Sequence, residues 1–62
     1  MKQEHTYTVY LMGGNWERSL EASNIWEATR YAKQLTGSMR GTFGVFRYFE
    51  NGTTSNTALF RK

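Results

Sequence analysis

Asn24-Ile25-Trp26-Glu27-Ala28-Thr29-Arg30-Tyr31-Ala32-Lys33-Gln34-Leu35-Thr36-Gly37 is the stretch on which the fold turns. Asn24 and Glu27 have the spacing of a capping box, in which one side chain accepts from an orphan amide and the other reaches back. Ile25, Ala28, Ala32 and Leu35 then recur at the spacing of one helical face. At about 100° per residue that stripe spans roughly 80°, and its centre is two alanines, so the backbone lies close to whatever the helix covers. Gly37 reads as the residue after the C-cap, where a left-handed conformation costs glycine little. Trp26, Arg30 and Lys33 fall on one outer flank of the helix, Tyr31 on the other.

On either side of this helix the pattern changes to period two. Thr6-Tyr7-Thr8-Val9-Tyr10-Leu11-Met12 is rich in β-formers and reads as a strand. Gly13-Gly14-Asn15 is the following turn. With Gly14-Asn15 as the two central residues of a type II′ turn, Val9 pairs with Leu20 and Tyr7 with Ala22 on one face, and Tyr10 with Ser19 and Met12 with Glu17 on the other. After the helix, Ser38 to Gly41 is a loop and Thr42 to Glu50 a third strand. Asn51-Gly52 has the composition of a type I′ turn, and Thr53 to Arg61 returns as the fourth strand. That turn sets Phe43 against Phe60 and Val45 against Ala58 on one face. It sets Gly44 against Leu59, Phe46 against Thr57 and Tyr48 against Ser55 on the other. Residues 1 to 4 read as a frayed end.

The order β-β-α-β-β, with a right-handed crossover through the helix, predicts an α+β domain over residues 1–62: a four-stranded antiparallel sheet of order 2-1-3-4 with the helix on one face. The covered face takes Tyr7, Val9, Leu11, Leu20, Ala22, Phe43, Val45, Ala58 and Phe60. Tyr10, Met12, Phe46, Tyr48 and Leu59 are left on the open face.

Composition narrows the chemistry. A chain of 62 residues is one domain, and such a chain buries only about 60% of its unfolded surface. No cysteine is present to add a disulfide or a thiolate-bound metal. The stability has to come from close packing or from a second copy. No apolar run approaches the ~18 residues of a membrane span, and the polar start Met1-Lys2-Gln3-Glu4-His5 does not resemble a secretory signal, which sets a cytoplasmic expectation. One histidine, no cysteine and no aspartate cannot assemble a zinc site or a nucleophilic triad. Glu17 and Glu21 project from one strand face as surface charge rather than as an acid–base pair. The glycines and Arg40 of Thr36 to Gly41 follow a helix, whereas a phosphate-cradling loop precedes one; Arg40 is there expected to complement the negative helix end. No catalytic, cofactor-binding or metal-ligating residue is assigned, and the residue set points away from an enzyme.

Two surfaces remain. Tyr10, Met12, Phe46, Tyr48 and Leu59 form an apolar group of the kind that marks a protein contact, either in a homodimer or with a protein partner. The alternative is a nucleic-acid interface on the helix flank, using Trp26, Arg30, Lys33 and Arg40; its bland counterpart is a solvated flank with Arg30 stacked on Trp26. On the open face Glu17, Glu21 and Glu50 outnumber Arg61, which disfavours phosphate there. A hairpin-helix-hairpin layout is too widely shared to lend a function by itself.

Overall fold

In the computed structural model, which describes residues 4–62, the elements run β1 (His5–Leu11), β2 (Glu17–Ala22), α1 (Ile25–Leu35), β3 (Thr42–Phe46) and β4 (Ala58–Arg61). The four strands form one antiparallel sheet in the order β2-β1-β3-β4, the predicted topology. Of the terminal residues expected to fray, 1–3 lie outside the described set and Glu4 is exposed. His5, the last residue of the polar start, opens β1 and is half-buried.

α1 starts as the sequence suggests. Asn24 Oδ1 accepts the Glu27 N–H at 2.8 Å from an extended N-cap conformation. Glu27 reaches back one residue further than a capping box requires: its Oε1 accepts from both the N–H and the hydroxyl of Ser23, each at 3.1 Å. Ala28 and Ala32 are fully buried against the sheet and Ile25 packs beside them. Leu35, assigned to the buried stripe, is 46% exposed, and Thr36 is buried in its place. On the helical wheel Leu35 lies about 80° from Ile25, on the far side of Ala28, whereas Thr36 lies only about 20° from Ile25.

Thr36 tolerates burial because its hydroxyl is satisfied. It donates to the Lys33 carbonyl at 3.1 Å and accepts from Lys62 Nζ at 2.9 Å. The same ammonium donates to the Lys33 carbonyl at 3.1 Å and to the Gly37 carbonyl. Gly37 holds the left-handed conformation expected of it, φ 54°. The cation expected at this negative helix end was Arg40; the structure uses Lys62, brought there by β4. Lys62→Met keeps the aliphatic stem and deletes the charge. It is expected to lower stability by about 1 kcal/mol, read as a shift of the urea midpoint with unchanged slope.

The first hairpin differs from the prediction in register but not in facing. β1 pairs Tyr7 with Leu20, Val9 with Arg18 and His5 with Ala22, two residues from the expected alignment. A slip of two preserves which side chains share a face. The connection is longer than a type II′ turn: Leu11 N–H donates to the Trp16 carbonyl at 3.0 Å, and Gly14 N–H closes a turn on the Leu11 carbonyl at 3.2 Å. Gly13 supplies the positive φ, at 79°. This register brings Trp16 opposite Leu11 on the helix side, where its ring meets Phe43 edge-on with centroids 5.9 Å apart. Burying part of a tryptophan there offsets the longer loop.

The second hairpin keeps its predicted core pairs, Phe43 with Phe60, Gly44 with Leu59 and Val45 with Ala58. Its tip is corrected. A type I′ turn needs positive φ at both central residues, and Asn51 does not have it. Instead Gly52 alone is left-handed, φ 87°, in a turn closed by Gly52 N–H on the Phe49 carbonyl (3.0 Å) and by Phe49 N–H on the Thr53 carbonyl (2.8 Å). Asn51 Oδ1 then accepts from the N–H and hydroxyl of Thr53, at 3.1 and 2.7 Å, the local bond that makes asparagine a turn former. Tyr48 bridges Thr54 rather than Ser55. One extra residue among Ser55, Asn56 and Thr57 therefore bulges, so Phe46 does not pair with Thr57. The Ser55 hydroxyl accepts the Arg47 N–H at 3.0 Å within that bulge.

The core lies between α1 and the sheet: Tyr7, Val9, Ala22, Ala28, Ala32, Phe43, Val45 and Phe60, with Leu11, Trp16, Leu20 and Met39 at its margin. Phe43 and Phe60 stack across the strands at 5.2 Å.

Candidate functional site

The side chains on the sheet surface away from α1 are set by strand parity. β2 contributes Glu17, Ser19 and Glu21, β1 contributes Thr6, Thr8 and Tyr10, β3 contributes Thr42, Gly44 and Phe46, and β4 contributes Leu59 and Arg61. Tyr48 joins them beyond β3.

Three of the predicted interface residues form a continuous aromatic row. Tyr10 meets Phe46 edge-on at 5.8 Å, and Phe46 meets Tyr48 edge-on at 5.1 Å. Tyr10 reaches Phe46 because its cross-strand neighbour is Gly44. A Cβ on Gly44 would come within 2.6 Å of the Tyr10 ring, so the absent side chain lets the ring lie flat over the strand. Tyr48 and Leu59 remain 63% and 59% exposed. Met12, also exposed, belongs to the turn rather than to a strand, but its N–H donates to the Thr42 carbonyl at 2.9 Å and continues the open-face parity. The five residues thus share one side of the sheet, with Tyr10, Phe46 and Tyr48 in direct contact.

Two shallow clefts of about 330 and 410 Å³ meet at Glu17 on this side, the first beside Tyr10 and Phe46, the second beside Ser19 and Tyr48. Among the described residues, neither the Glu17 carboxylate nor the Arg61 guanidinium makes a hydrogen bond or an ion pair.

The alternative site lies on the opposite side of the molecule. Trp26, Arg30, Lys33 and Arg40 are all exposed, Trp26 at 80%. The expected stacking of Arg30 on Trp26 is not formed: among the described residues the guanidinium–ring contacts are Arg18 over Trp16 at 5.2 Å and Arg47 over Phe49 at 4.7 Å. Both of those cations lie on the helix side of the sheet. Sequence reasoning left out Trp16, which seals one end of the core; its neighbours in the turn carry no local signal that it turns inward.

No helix among the described residues is long and apolar enough to cross a membrane. No protein-family model, curated protein or solved structure matches the chain.

Proposed function

We propose that the domain is a non-enzymatic interaction module that docks protein through the open aromatic side of its sheet. The observation that carries this reading is the row Tyr10, Phe46 and Tyr48 with Leu59 and Met12 exposed around it. A surface of contiguous rings and methionine matches the composition of protein interfaces. Among the described residues the core has eight buried apolar side chains, and so small a core also benefits from a second protein layer.

A photo-reactive phenylalanine analogue placed at Leu59, and separately at Leu35, tests it in cells expressing the chain. Leu35 is comparably exposed but sits on α1. Adducts are expected from position 59 and not from 35. Equal labelling at both positions, or at neither, overturns the reading.

The helix flank supports a second reading, nucleic-acid binding, because Trp26 stands 80% exposed with no ring or cation against it among the described residues. A fluorescent single-stranded oligonucleotide whose binding weakens steeply between 50 and 200 mM salt, and is abolished by Trp26→Ala, would favour that flank over the sheet.

A further inference from the structure

We infer that the occupant of the open face is a second copy of this chain, related by a two-fold axis parallel to the strands, with Glu17 of each copy meeting Arg61 of the other. The inference deepens the reading above and rests on it.

The argument starts from the rows across the sheet. Glu17, Tyr10, Gly44 and Leu59 are successive cross-strand partners on β2, β1, β3 and β4. Two identical sheets packed face to face, about 10 Å apart, admit two simple two-fold arrangements. An axis across the strands lays β2 on β2, bringing the Glu17 and Glu21 pair of one copy against the same pair of the other. Like charges brought together at an interface cost several kcal/mol in mispairing. An axis along the strands reverses each row on itself and lays β2 on β4. Leu59 of one copy then stands over Glu17 of the other, and Gly44 over Tyr10.

Charge selects the second arrangement. Acidic side chains on the open face of the strands lie on β2, and the basic one, Arg61, lies on β4 two residues from Leu59. The strand-parallel axis therefore puts Arg61 within side-chain reach of Glu17, twice per dimer. Both groups lack a partner within their own chain among the described residues. The cleft beside Glu17 and Tyr10, about 330 Å³, is open beneath the place where Leu59 of the other copy arrives. Size agrees as well. The molecule is flat, 33 × 24 × 15 Å, and its broad side is of the order of the ~800 Å² per partner that a specific interface buries.

Sedimentation equilibrium from low micromolar to millimolar chain concentration tests the arrangement. The native chain is expected to dimerise. Glu17→Lys and Arg61→Glu each place like charges together at both sites, and each is expected to weaken its own dimer about tenfold or more. Mixing the two variants restores opposite charges at both sites, so the mixture is expected to form a heterodimer about as stable as the native dimer. Both positions are exposed, and circular dichroism checks that each variant is folded. A native chain that stays monomeric throughout, single reversals without effect, or a mixture that fails to recover overturns the inference. Adducts from position 59 to a different protein, with the purified chain monomeric, remove the second copy while leaving the docking face standing.

Discussion

Phe43→Ala is expected to cost about 3–5 kcal/mol, enough to leave much of the chain unfolded at 25 °C. Phe43 is fully buried, stacks on Phe60 at 5.2 Å and receives the edge of Trp16 at 5.9 Å. It also joins β3 to β1 opposite Leu11 and to β4 opposite Phe60. Truncating it removes the apolar area of one ring and leaves a void that two large aromatic side chains cannot both collapse to fill. A domain of 62 residues has a total stability on the order of 3–9 kcal/mol, so the loss takes a large share of what there is. Urea titration followed by circular dichroism reads the change. Tyr48→Ser is the control: its ring is 63% exposed, and at concentrations where the chain is monomeric it is expected to stay within about 0.5 kcal/mol of the parent. Comparable losses in the two variants would argue that the open face is not open.

Ala32→Leu is the second large effect, and its sign runs against helix propensity. Leucine is nearly as good a helix former as alanine and more apolar, so a solvated helix would tolerate the change. Ala28 and Ala32 are both fully buried at the contact between α1 and the sheet. Extra methylenes there have no space unless the helix lifts from the sheet. Overpacking of this kind costs about 1–3 kcal/mol. Trp26→Leu, one residue from the same helix start but 80% exposed, is expected to change little. Thermal melts of the two variants side by side give the comparison. An Ala32→Leu variant as stable as the parent would mean that the helix rides higher on the sheet than its alanines imply.

What the residues disclosed and what they hid divides along physical lines. The helix start was legible at Asn24 because a cap acts within four residues of chain. The two sheet faces were legible because alternation is a parity, and parity survives a register slip of two, as Tyr7 and Val9 show in β1. The register itself was not, since adjacent Gly13 and Gly14 allow several turns and the choice was made by Trp16 finding Phe43 across the sheet. Thr36 replacing Leu35 in the buried stripe was equally hidden: its hydroxyl is satisfied by Lys62, 26 residues away in the chain. At the tip of the second hairpin Asn51-Gly52 correctly marked a turn, but a three-residue loop needs left-handed backbone only at glycine and was therefore preferred. For the candidate site, the membership of the aromatic row followed from parity alone. The ring contacts did not, because they depend on the flat space over Gly44, which only the pairing with Tyr10 makes useful.

The bulge at Ser55 to Thr57 has a consequence for assembly. By interrupting the ladder it leaves β4 with four regular residues, so the outer rim of the sheet on that side presents few backbone donors and acceptors to an incoming strand. At the other rim, β2 carries Glu17, Arg18 and Glu21, all exposed, and charges there discourage lateral strand addition. Sideways growth toward fibrils is thus discouraged at both margins, and in the proposed dimer the broad faces are turned toward each other, with no second face of the same kind left for stacking. The proposed dimer is therefore expected to be a closed pair, and concentrated solutions of the chain are expected to stay free of filaments.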